Sequence, residues 1–308
     1  MAVTRREHFG KLLEPGLRKI FYETYDQIPA IAGELFNMQS TSNPYEEDLS
    51  IGTLGDFPEF KGVVEYDRPY EGYKALYEFP EFAKGFQIER KLFDDDRYNQ
   101  INKRPAGLAI SASRKREKDA ADIFNNAFDA NFTGPDGKRL CATDHPSKAF
   151  VDGGVGPENR SNAGTLPLTH ANLQTTVNNM RRFVDDRGGK ISVVPDTLLV
   201  PINLYETAWE LVKSELKVNT AENNPNIHQG KYKLVVWDYL EEGGTPATSP
   251  WFMIDSRYAK MFLNWFDKAP LEFAMMEDFD TFVAKFRAYM RYNAGWSDFI
   301  WVYGNNPG

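Results

Sequence analysis

Cys141, Asp144 and His145 fall within five positions of one another, and their types could do chemistry together. A thiol beside an imidazole can serve as a nucleophile with its base, and the same three side chains could begin a metal site. A structural zinc site needs four ligands, usually with a second cluster. This chain has no other cysteine and only His8, His145, His170 and His228. A plain turn ending at Pro146 is the simpler reading. Gly188-Gly-Lys190 lacks the upstream glycine of a phosphate-binding loop. Gly153, Gly154 and Gly156 sit in a polar connector and do not join a strand to a helix, which argues against a dinucleotide fingerprint. Carboxylates recur in runs at Asp94 to Asp96, Asp185-Asp186, Glu241-Glu242 and Glu277-Asp278. A carboxylate pair can hydrolyse a glycosidic bond. Adjacent acids on a strand point to opposite faces, however, so solvated loops and salt bridges between subunits account for them better. The basic run from Arg114 to Lys118 could touch phosphate, but beside Glu117 and Asp119 it reads as a solvated helix face. Asn131-Phe-Thr133 matches a glycosylation sequon that a cytosolic product leaves unused. The sequence therefore assigns no catalytic, cofactor-binding or metal-binding residue, and no cofactor is expected.

Composition narrows the class further. Hydrophobic residues make up 42% of the 308 and aromatics 14%, enough for a substantial core in one large domain or two lobes. A net charge of −8 argues against a protein whose main task is to grip nucleic acid. Cys141, being alone, forms no intrachain disulfide, which fits a reducing compartment. The first ten residues lack the apolar run of a signal peptide, and no stretch of about 18 apolar residues exists to span a membrane.

The elements that would position these residues alternate between helix and strand, an α+β mixture with no internal repeat. Phe9, Leu12, Leu13, Leu17, Ile20 and Phe21 recur at helical spacing, interrupted by Pro15-Gly16, which predicts two short helical pieces or a loose arm. Thr53 to Leu92 is rich in aromatics, glycine and charge, and reads as a twisted hairpin turning between Phe79 and Gly85. It carries too much apolar surface for a solvated loop, so it either docks on its own core or packs on another subunit. Asn102 to Phe132 is a helix candidate capped by Ser111 or Ser113, with Ala120, Ile123, Phe124, Ala127 and Phe128 as its stripe. Asp152 to Gly164 is the best boundary between lobes. A second helix is expected from His170 to Arg187, capped by Thr169 and stopped by Gly188, followed by a strand from Ile191 to Val200. Asn203 and Glu206 suggest a capping box for a helix from Leu204 to Leu216, and Tyr232 to Tyr239 a strand. Ser256 to Asn264 is helix-like. From Phe279 to Tyr292 the residues Phe282, Ala284, Phe286, Ala288 and Met290 alternate with Lys285, Arg287 and Arg291, the pattern of a long half-buried strand. Gly295 should break it, and Phe299 to Gly304 should form a last strand.

That C-terminal block, R-Y-N-A-G-W-S-D-F-I-W-V-Y-G from Arg291, resembles the signature of tailed-bacteriophage major capsid proteins, in particular the Mu-like head subunits. Three more segments are similar to the same group: Gly134 to Pro146 (G-P-D-G-K-R-L-C-A-T-D-H-P), Leu168 to Gly189, and Pro195 to Ala208 (P-D-T-L-L-V-P-I-N-L-Y-E-T-A). The resemblance implies the fold shared by tailed-phage heads, the herpesvirus capsid floor and encapsulins. It implies an N-terminal arm (1–54), an extended loop (55–92), a peripheral domain (93–164 and 277–303, spine helix about 105–131) with long strands, and an axial domain (165–276 and 304–308). The Asn219 to Gly230 loop would then lie near the capsomer axis.

The function so implied is a non-enzymatic shell. It would self-assemble into pentamers and hexamers, form the icosahedral head of a tailed phage, and enclose double-stranded DNA without sequence-specific binding. Its partners would be itself, a separate scaffolding protein, a portal protein at one vertex and a decoration protein, with no membrane. It would assemble in the host cytoplasm and end in the virion. The chain begins with the arm, so no large maturation cleavage is expected. Lysines Lys61, Lys74 and Lys84 in the loop, with Asn305 and Asn306, are the residues a covalent crosslink would need, with ordinary surface roles as the simpler reading. The alternatives are an encapsulin-like shell for cargo proteins and a soluble hydrolase using a carboxylate pair.

Overall fold

The computed structural model describes residues 9–51, 59–60, 62, 64, 66, 71–89, 100–153, 156–217, 224–278 and 283–308. The chain opens with helix α1 (Phe9–Gln27), which runs unbroken through Pro15. Proline removes one helical hydrogen bond. Packing offsets that loss, because Leu17 and Phe21 are buried and the Phe21 ring lies 4.9 Å from Phe273. The break expected at Pro15-Gly16 does not occur. A single turn, α2 (Ala32–Leu35), leads to β1 (Asn37–Ser40) and then β2 (Tyr45–Ile51).

Strands β3 (Glu71–Glu78) and β4 (Glu81–Glu89) meet at Phe79-Pro80 but do not pair with each other. β3 pairs antiparallel with β2 as a two-stranded ribbon, and β4 joins β12 (Val283–Trp296) in the main sheet. The hairpin expected here is thus divided between two sheets. Pro80 cannot donate to a ladder, and Phe79 is buried with Ala75, Tyr77 and Phe266, so the turn is anchored and the strands diverge. Most of residues 52–70 lie outside the described residues.

Helix α3 (Gln100–Asn125) is the longest, about 39 Å at 1.5 Å per residue. Leu108, Ala109, Ala112, Ala120, Ala121, Ile123 and Phe124 form its buried stripe. Ser111 and Ser113 lie inside it and cap nothing, and the chain leaves the helix at Asn125, short of Phe132. After the pair β5 (His145–Pro146) and β6 (Asn159–Arg160), with the turn α4 (Lys148–Val151) between them, comes β7 (Ala163–Gly164). Helix α5 (His170–Met180) starts where expected, the Thr169 hydroxyl accepting from Asn172 N–H at 3.3 Å. It stops seven residues early because Val184 bridges Lys190 and the Asp185 carboxylate takes the Gly189 N–H at 2.7 Å, folding 183–191 into a tight turn.

Strand β8 (Thr197–Val200) uses only the end of its expected segment, and a 3₁₀ turn separates it from α6 (Tyr205–Lys213). Asn203 does not cap that helix; its amide donates to Ser249 Oγ at 2.6 Å. Next come β9 (Lys233–Val236), β10 (Trp251–Ile254) and α7 (Ser256–Phe262), whose first turn is capped by Asp255. The chain ends in β11 (Leu263–Asp278), β12 (Val283–Trp296) and β13 (Val302–Asn305). On β12 the expected alternation holds: Phe286, Ala288 and Met290 are buried, while Lys285 and Arg287 are exposed. Gly295 does not break the strand; it pairs with Asn264, and an added Cβ would lie 3.0 Å from the Tyr77 ring. Phe279 to Phe282, the expected start of this strand, lie outside the described residues.

Two sheets carry the fold, a four-stranded one (β1-β11-β12-β4) and a five-stranded one (β7-β13-β10-β8-β9). Pairing regroups two segments. Ala269 to Met276, expected in the axial set, belongs to β11 and lies against β12; β13, expected beside the long peripheral strands, sits in the five-stranded sheet between β7 and β10. One face of the five-stranded sheet (Leu199, Val235, Phe252, Ile254) packs on α3 with Phe124, Trp237 and Trp301; its other face (Leu198, Val200, Trp251, Met253) is covered by α5 and α6. A third core lies among α1, the start of α3 and the strands β4, β11 and β12.

Candidate assembly surfaces and the polar nodes beneath them

Cys141, Asp144 and His145 are separated by the fold. Cys141 is fully buried, and burial pushes its thiol far above the ordinary range, so it remains an inert thiol. Asp144 is exposed and pairs with Lys138. His145 is 1% exposed and spent on structure. Asn162 explains how. Its Nδ2 donates to the carbonyls of Leu140 at 2.8 Å and Val302 at 3.2 Å, while its Oδ1 accepts from Ala142 N–H at 2.9 Å. With the amide so oriented, Oδ1 also accepts from His145 Nε2–H at 3.0 Å. The other ring nitrogen meets Asp136 Oδ2 at 2.6 Å, and the ring stacks 3.7 Å from Phe299. This node ties the 136–146 turn to β13. Among the described residues no group of three His, Cys, Asp or Glu side chains could hold a metal ion.

The acid runs are likewise dispersed. Asp185 caps its own turn, Asp278 pairs with Lys285 at 3.1 Å, and Glu241 donates its backbone N–H to Asn125. Asp94 to Asp96 lie outside the described residues. The basic run on α3 divides by face. Lys115 pairs with Asp119 at 2.6 Å across one turn at the surface. Arg116 turns inward and holds Asp267 of β11 through two bonds of 2.7 and 3.0 Å, its guanidinium 4.7 Å from the Trp265 ring and 5.1 Å from that of Tyr292.

Glu117 makes the least expected contact. Its carboxylate is 5% exposed and accepts from Ile31 N–H and Ala32 N–H, each at 3.2 Å, and from Trp237 Nε1–H at 3.0 Å. One side chain therefore caps α2 and pins α3 to the loop after β9. Burial raises its carboxyl above the usual range, with the three donors and Arg116 opposing that shift. Sequence reading placed Glu117 on a solvated face; only its position opposite Trp237 could have indicated otherwise, and that is not local information.

The remaining surface is shaped for contact. The β2–β3 ribbon leaves Tyr45, Leu49 and Leu76 about half exposed, and β11 leaves Met276 exposed. Helix α6 turns Tyr205 (50% exposed) and Trp209 (48%) outward, beside Glu206 and Glu210, with Ile202 (54%) of the preceding 3₁₀ turn alongside. Exposed aromatics on several elements mark interaction surfaces better than a catalytic cleft. Of the residues a crosslink would need, Lys74 is paired with Glu47 at 2.7 Å, Lys84 donates to Ser111 Oγ at 3.3 Å, and Asn305 is fully buried on Thr176 Oγ1; Lys61 lies outside the described residues. No helix among the described residues is long and apolar enough to cross a membrane.

Comparison with known proteins agrees with this picture. A family model described as phage capsid protein matches residues 72–305. No curated protein matches the sequence. Among solved structures, the mature capsid of bacteriophage PhiM1 is similar at 12% identity and a TM-score of 0.57, covering 91% of this chain and 87% of that one. The capsid of bacteriophage JBD30 decorated with minor capsid protein trimers matches at 13% identity and a TM-score of 0.55, covering 70% of this chain and 92% of that one. A virus-like particle from Pyrococcus furiosus matches at 9% identity and a TM-score of 0.52, covering 95% and 98%.

Proposed function

The chain belongs to the phage capsid protein family, and on that premise we propose how it builds a head shell. It acts as the major capsid protein, a structural subunit that closes into pentamers and hexamers by heterologous contacts and encloses double-stranded DNA. The observation that carries this reading is the distribution of exposed large apolar side chains over the ribbon (Tyr45, Leu49, Leu76), α6 (Tyr205, Trp209) and β11 (Met276), which a lone subunit would leave wet and a shell would cover.

In this reading α1 and α2 are the arm, the β2–β3 ribbon with β4 forms the extended loop, and α3 is the spine of a peripheral domain built on the four-stranded sheet. The five-stranded sheet with α5 and α6 is the axial domain. A separate scaffolding protein, a portal at one vertex and a decoration protein are its expected partners, and assembly takes place in the host cytoplasm. Within the family, the four sequence segments similar to Mu-like head subunits support placing the chain in that group.

Negative-stain microscopy and sizing chromatography of the chain, expressed alone and with a candidate scaffolding protein, test the reading. Rings, tubes or closed shells are expected, and particles from infected cells should contain DNA. A monomer under every condition, or particles filled with protein cargo, would overturn it.

A further inference from the structure

Three cations gather at one place on this acidic chain. Arg181 and Arg182, at the end of α5, and Lys190 line a groove of about 580 Å³ together with Asn178, Ser192 and Val194. No acidic residue lines this groove, and none of the three cations has an ion-pair partner among the described residues. The nearest acid in the turn, Asp185, has its Oδ1 turned onto the backbone N–H groups of Arg187 and Gly189. Val194 adds a half-exposed apolar floor.

The complementary surface is on the same chain. Ile202, Tyr205 and Trp209 face outward around α6, with Glu206 and Glu210 between them one turn apart and Lys213 at the far end. Like charges spaced i,i+4 repel weakly on a bare helix, so Glu206 and Glu210 are better placed against cations than against each other. Arginine suits both features, since its planar guanidinium binds carboxylates in two-bonded pairs and stacks on aromatic rings. Helix α5 packs on β13, whereas α6 packs on β8 and β9, so the two surfaces are carried by different helices and share no residue. A contact between them in two copies is heterologous, the kind that closes into rings.

We propose that the outward face of α6 in one subunit docks into the Arg181–Arg182–Lys190 groove of the next subunit in the capsomer. This rests on the shell reading above and specifies the contact it needs. The occupant is a second copy of this chain; the phosphates of packaged DNA are the competing occupant.

Charge exchange tests the pairing in the full-length chain, under conditions where the wild type forms capsomers. One variant carries Arg181→Glu with Arg182→Glu, a second Glu206→Lys with Glu210→Lys, and a third all four changes. Each double change should lower the assembled fraction at least roughly tenfold, as loss of a central interface anchor does, and the fourfold change should restore it. Trp209→Ser, which alters no charge, should also lower it, and far-UV circular dichroism separates these losses from unfolding. If the wild type assembles and the variants assemble equally well, the pairing is overturned and the shell reading stands. If the groove variant assembles normally but no longer retains a 30-base-pair DNA that the wild type holds at low salt, the groove belongs to phosphate and the pairing is again overturned. A wild type that never assembles overturns the shell reading itself.

Discussion

Replacing Glu117 with alanine should destabilise the subunit more than any surface change, because its carboxylate satisfies three donors contributed by two other parts of the chain. A buried donor left without an acceptor costs about 1–3 kcal/mol, and those to a charged group lie toward the upper end. Two terms reduce the sum. Water can enter the space left by the truncated side chain, and the wild-type carboxylate already carries a burial penalty, as its raised ionisation range indicates. A net loss of about 3–5 kcal/mol follows, or roughly 10 °C in Tm for a chain of this size. Glu117→Gln discriminates the mechanism. It keeps one oxygen for Ile31 N–H and Trp237 Nε1–H but turns an NH₂ toward Ala32 N–H, so the loss should be about 1–2 kcal/mol. Urea unfolding of the unassembled subunit, followed by tryptophan fluorescence and circular dichroism, measures both. An alanine variant within about 0.5 kcal/mol of wild type, or a glutamine variant less stable than alanine, would refute the idea that these hydrogen bonds hold α2 and Trp237 to α3.

Three further outcomes can be checked in the same assay. Arg116→Lys loses one of the two bonds to Asp267 and the flat stacking on Trp265, and should cost about 1–2 kcal/mol. Gly304→Ala places a Cβ 2.6 Å from Cys141 Sγ and 2.8 Å from Phe128, so it should destabilise by about 1–3 kcal/mol; adding Cys141→Ala should recover part of that by vacating the sulfur's space. Burial, reinforced by the neighbouring His170, lowers the His228 imidazole from 6.5 to about 4, so the folded state prefers it neutral. That contribution is complete above about pH 6.5 and is lost as the pH falls toward 4, on the order of 2 kcal/mol. His228→Gln should therefore flatten the acid limb of a stability profile measured between pH 7 and 4, and an unchanged limb would count against the assignment.

Local features of the chain could be read directly. Thr169 starts α5 because a hydroxyl beside free N–H groups caps a helix whatever its surroundings. The alternation through Phe286, Ala288 and Met290 declares a strand with one buried face, since period two is a property of the strand itself. Four short segments in the right order were enough to indicate the family, and the matched region, 72–305, contains the whole stretch they span.

Partnership was decided by tertiary structure. Nothing near Phe79-Pro80 states that β3 will pair with β2 while β4 joins β12, because pairing depends on which edge is open elsewhere in the fold. Pro15 reads as a break, yet Phe21 and Leu17 find a core that offsets the lost hydrogen bond. Glu117 and Arg116 are neighbours in a charged run, and only the docking of α2, Trp237 and β11 against α3 makes them buried anchors while Lys115 stays at the surface. The sequence by itself determined which periodic segments are helical or extended and which of their faces are apolar, since those follow from neighbours along the chain. Which strand pairs with which depended on the edges left open elsewhere in the fold, and which charges are buried followed from contacts between residues more than a hundred positions apart, such as Glu117 with Trp237 and Arg116 with Asp267.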